Sequence, residues 1–571
     1  MKTKIRLILP FAVVTLLIPL FTTGQDVPAP YVEIKDMHHE TFADKYLPNA
    51  HNNKKTSPVY KYNNTGALKL MGTSIFTMQV NVNSNGENIL DDAANEPNIA
   101  VNPLNANSMV IGWRQFDNVS SNFRQAGWSY SSDAGQTWTF PGVIEPGIFR
   151  SDPVLDYDMS GNFYYNSLMG DLSCKVFKST DGGAQWDSGT DAAGGDKQWM
   201  TIDRTTGTGS GSIYSFWSPN YSTCPPGFFT RSWDAGFSFE SCTSVNGDPY
   251  WGTMAVTNNG ELYIGGGGDE PGYLVVVKSL NAQDPGSLID WQPAIPVFID
   301  GNLGFSNGVN PAGLLGQVNI DVDRSNGPGQ GNVYLLASVA RLSGQDPGDV
   351  MFTKSTDGGL TWGDPVRLND DPSLTNTQWF GTMSVAPDGR IDVIWLDTRD
   401  APPGSDSSAL YYTSSIDQGN SWSVNEKLSA SFDPHMGYPN QEKMGDYFDM
   451  VSFNSGAHLA WANTFNGEQD VYYSYIIPPV SAGVNDISSN STFSVFPNPT
   501  SGIFVITNMA NQPGIEIYNT LGEILFSKAN IIMRGSSDSY QVDISSQPAG
   551  IYFLKIVNRD GSMGVKKIIK E

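Results

Sequence analysis

Ser131-Ser132-Asp133-Ala134-Gly135-Gln136-Thr137-Trp138 is the stretch on which the fold turns, because the same pattern returns four more times. The further copies are Ser179 to Trp186, Ser232 to Phe239, Ser355 to Trp362 and Ser415 to Trp422. All read Ser-x-Asp-x-Gly-x-(Thr/Ser/Gln)-(Trp/Phe). The chemistry of this spacing is local. The Asp accepts backbone N–H bonds from the turn it begins, and the Gly two residues later supplies a positive φ. The aromatic residue then pins the returning strand into a core. A degenerate sixth copy runs from Ser279 to Trp291, stretched by Asp284-Pro285-Gly286.

Each copy belongs to a larger unit that recurs between Asn95 and Ile477. A unit opens with an apolar strand, turns at Asp or Asn plus Gly, and returns on an aromatic strand. One example is Phe380-Gly381-Thr382-Met383-Ser384-Val385, Gly389, then Ile391-Asp392-Val393-Ile394-Trp395. Seven units start near Glu96, Asp152, Lys197, Tyr250, Gln317, Gln378 and Glu442. Each predicts four strands, two in the opening hairpin and two flanking the repeated turn. The seventh supplies only three, and Phe76 to Val82 alternates as the missing fourth, which would hide the sheet edges.

With five such turns, the chain resembles the sialidase-like β-propellers built on Asp-box (BNR) repeats, over nearly four hundred residues. The fold class expected is therefore all-β: a sialidase-like β-propeller of four-stranded blades, followed by a small Ig-like β-sandwich. Seven blades are favoured, with six the alternative if one unit is an insertion. In that superfamily the boxes are structural hairpins, remote from the catalytic face.

Strand direction sorts the polar residues. The repeated turns and the Asp/Gly turns share one face. The opposite face gathers the ends of second strands and the starts of first strands: Arg114, Asp117, Arg150, Asp152, Asp196, Lys197, Glu270, Arg341, Asp397, Arg399, Glu442, Lys443, Asp446 and Tyr447. Converging on a central channel, such residues can bind a polar ligand through forked guanidinium contacts or bridge neighbouring blades. The resemblance implies an exo-sialidase-like glycoside hydrolase, with Arg gripping a sugar carboxylate and a Tyr nucleophile activated by Glu. On that reading Arg114, Arg341 and Arg399 compose the Arg cluster, Glu270 or Glu442 partners Tyr447, and Asp117 is the acid. Arg150 and Asp397 join the ligand-binding set. Phe149-Arg150-Ser151-Asp152-Pro153 departs from the family's early (Phe/Tyr)-Arg-Ile-Pro. A non-catalytic propeller that binds glycans or proteins, and a scaffold with no small ligand, stay open beside the hydrolase.

Other chemistries are excluded more firmly. The five His are scattered, so no zinc site, and no metal or cofactor, is expected. Asp321 to Gly327 partly matches a calcium loop, but its Gly falls one place late and Asn332 stands at position twelve, so it reads as a long turn. Gly209-Ser210-Gly211-Ser212 is loop-like, with no nucleophilic elbow.

The flanks are addresses. Lys2, Lys4 and Arg6 precede the apolar Leu7 to Phe21, and Thr22-Thr23-Gly24 is a small-residue cleavage site, so 1–24 reads as a secretory signal peptide. Residues 25–74 are a polar extension, 75–478 the propeller, and 479–490 a linker. Residues 491–571 form a separate β domain. Phe496-Pro497-Asn498-Pro499-Thr500-Ser501-Gly502, Ile515 to Asn519 with Leu521-Gly522, Pro548 to Phe553 and Lys566-Lys567-Ile568-Ile569-Lys570 occur there in that order. This segment resembles the type A C-terminal sorting domain of the type IX secretion system. The resemblance implies passage across the outer membrane to the cell surface or the medium, with the secretion machinery as a partner.

Composition agrees with an exported β protein. In 571 residues, 33 Lys+Arg against 58 Asp+Glu give a net charge of −25, a poor nucleic-acid binder. Aromatic residues reach 12%, enough to bury a large core, and no other apolar run approaches membrane-spanning length. Cys224 and Cys242 lie symmetrically about a predicted turn near Asp234, within disulfide reach, and Cys174 is left over as a buried thiol. The expected ligand is a glycan or glycoprotein.

Overall fold

The computed structural model describes residues 46, 55–64, 72–344, 346–479, 493–507, 514–519, 524–527, 539–557 and 563–571. The signal peptide, most of the 25–74 extension and residues 480–490 of the linker lie outside the described residues. The rest divides into two compact units, one holding residues 73–478 and the other the residues from 493 onward.

Among the described residues the larger unit has two two-stranded sheets, Thr56–Ser57 with Asn88–Ile89 and Phe305–Asn307 with Asn310–Leu314, and seven antiparallel sheets of three to five strands. The first holds Ala93–Val101, Met109–Phe116, Gln125–Ser131 and Thr139–Ile144. The second holds Arg150–Tyr157, Phe163–Met169, Cys174–Ser179 and Thr190–Ala192. The first strands of the other five are Trp199–Ile202, Tyr250–Val256, Asn319–Val322, Gln378–Val385 and Asp449–Phe453. In the seventh sheet Ser74–Gln79 pairs with Asp470–Ile477, so the N-terminal side completes the sheet as expected, two residues earlier than the pattern placed it. Lys61–Asn63 adds a fifth strand there.

Not every sheet has four strands. The third has three, Trp199–Ile202, Ile213–Phe216 and Phe229–Ser232. Its would-be fourth strand makes a single bridge, Phe229 to Thr243. The Cys224–Cys242 disulfide, Cα atoms 6.3 Å apart, holds that segment where ladder bonds are few. The fifth sheet gains Gly301–Leu303, paired to the far end of Val333–Arg341.

The repeated turns fold as their spacing dictates. In the first, Thr137 N–H donates to Asp133 Oδ1 (2.9 Å) and its hydroxyl to Oδ2 (2.6 Å), while Gly135 takes φ +77°. The Ser does more than the pattern required: Ser131 Oγ accepts from Gly135 N (2.9 Å) and donates to Asp133 (2.9 Å). The other four copies repeat the Gly-to-Ser bond. In the stretched copy Asn281 stands in for Asp, accepting from Asp290 N at 2.8 Å.

The seven first strands neighbour one another in sequence order, and the seventh neighbours the first. Six of these seven steps are stitched by a side chain that accepts a backbone N–H from the next sheet. Asn98 takes Leu155 N (2.7 Å), Asp156 takes Ile202 N (2.7 Å) and Thr253 takes Ile320 N (2.9 Å). Asp321 takes Val385 N (2.9 Å), Ser384 takes Ser452 N (3.0 Å), and Asp449 returns to Ile99 N (3.0 Å). Apolar clusters fill the spaces between sheets, for instance Ile99, Ile111, Trp113, Trp138, Val471 and Tyr473 between the seventh and the first.

The C-terminal unit has two antiparallel sheets. One is Ser494–Phe496, Ile503–Thr507 and Ser539–Asp543; the other is Ile524–Ser527, Gly514–Tyr518, Gly550–Val557 and Met563–Lys570. They share one core that includes Phe504, Ile506, Val542, Ile515, Leu554 and Ile568.

Candidate functional site

At or near the start of each first strand stands a residue of positive φ: Glu96 (φ 50°), Asp152 (46°), Lys197 (58°), Trp251 (50°) and Phe380 (55°), with Gly316 and Gly445 at the remaining two; in the first, second, fourth and sixth sheets the ladder bulges there. Side-chain-bearing residues rarely adopt this conformation. It turns three charged side chains toward one another in full burial. Lys197 Nζ meets Asp152 (3.0 Å), Asp196 (3.2 Å) and Asp446 (2.8 Å). Lys443 Nζ meets Asp446 (2.6 Å) and Glu96 (3.5 Å), and Arg114 meets Glu96 (3.2 Å) and Asn95 (2.8 Å).

Electrostatics follow from the missing water. Burial opposes the Lys197 charge, but the carboxylates of Asp152, Asp196, Asp446 and Glu96 outweigh it and raise its pKa well above the ordinary value. Burial raises the Glu96 carboxyl against the pull of Arg114, and lowers Lys443. A hairpin inserted between the fourth and fifth sheets, Phe305–Asn307 with Asn310–Leu314, docks against this end. Leu314 N donates to Asp446 Oδ1 (2.9 Å), and Asn310 bonds both Met444 N (2.9 Å) and Gly445 O (2.8 Å).

At the other ends of the same strands lies a cavity of about 260 Å³ to which every first strand contributes, through residues that include Ile99, Leu155, Trp199, Thr253, Ile320, Ser384 and Asp449. Its charged groups are Asp156, Arg204, Asp321, Arg324 and Asp449. Arg204 Nη1 pairs with Asp156, and Arg324 Nη1 with Asp321 at 2.7 Å. Burial pushes the Asp449 carboxyl up to about 7.

The sequence-selected residues scatter among different partners. Arg114 joins the buried cluster and also Gln441 (2.8 Å). Arg341 pairs with Asp300 and Asp349, Arg367 continues from Asp349 to Asp371, and Arg399 closes the chain on Asp397 (2.8 Å) and Asp370. The three arginines thus do not compose one cluster: two serve an Asp–Arg ladder spanning the fifth and sixth sheets. Arg150 reaches Glu145 and lies 4.8 Å over the Phe177 ring. Asp117 accepts from Gln125 (3.0 Å). Tyr447 is buried and donates to Pro153 O at 2.8 Å, with its hydroxyl pKa raised by burial and then by Glu96 and Asp152. Glu270 and Glu442 are exposed, and among the described residues neither hydrogen-bonds Tyr447. Among the described residues no group of three or more His, Cys, Asp or Glu side chains is placed to hold a metal.

Arg204 and Arg324 were not singled out from the sequence, yet a signal for them exists. Ile202-Asp203-Arg204-Thr205-Thr206-Gly207-Thr208-Gly209-Ser210-Gly211-Ser212-Ile213-Tyr214 repeats as Val322-Asp323-Arg324-Ser325-Asn326-Gly327-Pro328-Gly329-Gln330-Gly331-Asn332-Val333-Tyr334. The long turn and the glycine-serine loop are two copies of one element.

Residues 494–571 match the family of the secretion system C-terminal sorting domain. No protein of curated function matches the chain. Among solved structures, a protein of unknown function from Dyadobacter fermentans is 12% identical with a TM-score of 0.40, covering 70% of this chain and 98% of that one. The phage phi92 endosialidase is 11% identical with a TM-score of 0.38, covering 88% and 79%. PorZ, an essential bacterial surface component of the type-IX secretion system of Porphyromonas gingivalis, is 12% identical with a TM-score of 0.25, covering 88% and 74%. Among the described residues no helix is long and apolar enough to cross a membrane. The C-terminal unit is a sorting domain of the type IX secretion system, and the protein is exported through that machinery to the cell surface or beyond.

Proposed function

We propose that the larger unit is a seven-bladed, sialidase-like Asp-box β-propeller that binds a polar extracellular ligand, a glycan or glycoprotein, without hydrolysing it. The cyclic order of first strands and the side-chain stitches between them support the propeller. The shared core of the two C-terminal sheets supports an Ig-like sandwich for residues 491–571. One observation carries the binding reading: the axial cavity is open where part-exposed Asp and Arg side chains line it, while at the end chosen for catalysis Asp152, Lys197, Lys443, Asp446 and Tyr447 are buried and the lysines are held by carboxylates. The cavity is slightly below the ~300–1,000 Å³ of drug-sized sites, which suits one sugar residue or a single projecting side chain.

The test is a paired assay on the exported protein, binding on a broad glycan panel and hydrolysis of sialosides and other glycosides. Binding without sugar release is expected. Turnover that disappears in Tyr447→Phe would overturn the proposal in favour of an exo-sialidase-like hydrolase.

A further inference from the structure

We propose that the ligand of the axial cavity carries an oxyanion group, a carboxylate or sulfate, held between Arg204 and Arg324. This rests on the binding reading above, and it concerns the end of the axis opposite to the one that the sialidase resemblance designates.

The two arginines are presented by duplicate loops. In each, the Asp before Arg fixes the loop base: Thr205 N donates to Asp203 Oδ1 and Ser325 N to Asp323 Oδ1, both at 2.8 Å. The return strand closes identically, with Gly211 N on Asp203 O (2.8 Å) and Gly331 N on Asp323 O (2.9 Å). A side chain on Gly209 or Gly329 would come within 2.4 or 2.3 Å of the same Asp Oδ2, so both positions require glycine. The loops therefore set their arginines in matching backbone positions, in the third and fifth sheets. Both side chains line the axial cavity and also a neighbouring recess of about 270 Å³, whose wall includes Thr205, Thr257 and Asn258.

Among the described arginines these two alone combine spare bonding capacity in contact with solvent with a place on the cavity wall; Arg367, 26% exposed, also hydrogen-bonds through only two of its three nitrogens, but it serves Asp349 and Asp371 and does not line the cavity. Arg231, Arg341, Arg390 and Arg399 each commit Nε and both Nη nitrogens. Arg114, Arg124 and Arg150 are sealed, at 0–1% exposure. Arg204 is 28% exposed and its hydrogen bonds use Nη1 alone, on Asp156. The edge formed by its Nε and Nη2 is the one that grips a carboxylate or sulfate in bidentate fashion. Arg324, 30% exposed, commits Nε to Val256 O (2.7 Å) and Nη1 to Asp321.

The titratable groups of the cavity are Asp156, Tyr157, Arg204, Asp321, Arg324 and Asp449. With Asp449 ionised, three carboxylates face two guanidinium groups. Its pKa, pushed to about 7 by burial, removes one negative charge as pH falls through neutrality. Anion affinity should therefore rise between pH 8 and 6, and Asp449→Asn should flatten that rise.

The experiment screens the full exported protein against matched glycan pairs: uronate-bearing chains with their methyl esters, and sulfated chains with their desulfated forms, with free inorganic sulfate as competitor. Binding is expected to the charged member of each pair, with a loss of about tenfold to a hundredfold in Arg204→Gln, the range of a charge-assisted contact. Arg204→Lys, which keeps the charge but not the fork, should recover only part of it, with the melting temperature unchanged. Equal binding to both members, insensitive to Arg204→Gln, would refute the oxyanion assignment and leave the binding propeller standing. Binding of free sulfate with no glycan bound would uphold the anion site and refute the glycan ligand. Absence of any binding would remove both proposals.

Discussion

The two ends of the seven first strands use the same residue types to opposite effect. Where the strands begin, Glu96, Arg114, Asp152, Lys197 and Asp446 are buried and ion-paired with one another, with Arg114 Nη2 and both Glu96 oxygens outside any hydrogen bond among the described residues. Where they end, Asp156, Arg204, Asp321 and Arg324 also pair, but between 11% and 30% of each side chain remains exposed. Charge type alone thus does not mark a ligand site. What differs is desolvation: a fully buried ion pair has no solvent contact through which a ligand could reach it, whereas a half-wet one can trade water for a ligand.

Like substitutions at the two ends test this contrast most severely. Lys197→Met leaves Asp152, Asp196 and Asp446 buried without their shared cation, and it should cost roughly 3–5 kcal/mol in denaturant unfolding. Arg204→Gln, at a part-exposed pair, should cost no more than about 1 kcal/mol. Equal costs would erase the distinction between a structural end and a binding end.

Asp449 sharpens the comparison through pH. Its folded pKa, about 7, lies above the ~3.9 of an unfolded Asp, so the folded state holds the extra proton between these values. Stability from this group is full below about pH 4 and is lost as pH rises through 7, with a slope of at most ~1.4 kcal/mol per pH unit. Asp449→Asn should remove that slope from unfolding measured between pH 4 and 7. An unchanged slope would place the titration elsewhere.

The repeat was legible because a tight turn needs particular residues at fixed offsets: Ser131, Asp133 and Gly135 bond within five residues of chain, so their spacing is their geometry. The closing strand at Ser74–Gln79 was legible for a related reason, since a sheet of three strands leaves an edge that something must cover. Which end of the first strands carries the open cavity was not legible. It depends on the hairpin formed by Phe305–Asn307 and Asn310–Leu314 meeting Met444 to Asp446, more than 130 residues away in sequence, and no local pattern names that partner. The Arg204 and Arg324 loops lay in between: each alone looks like an ordinary turn, and only their alignment shows a device used twice.

Tyr447 gives the finest test of the contrast, because it is the residue on which a hydrolase at the buried end would depend. Its hydroxyl is committed to Pro153 O, its ring packs 5.5 Å from Trp199, and no solvent path is needed for that role. Tyr447→Phe removes one buried hydrogen bond and leaves a carbonyl underused, so a loss of about 1 kcal/mol is expected. Glycan binding at the far cavity should be unchanged, since Trp199 rather than Tyr447 lines it. A variant that keeps its stability but loses binding would show that the buried end communicates with the open one, and the two ends would then be one site rather than two.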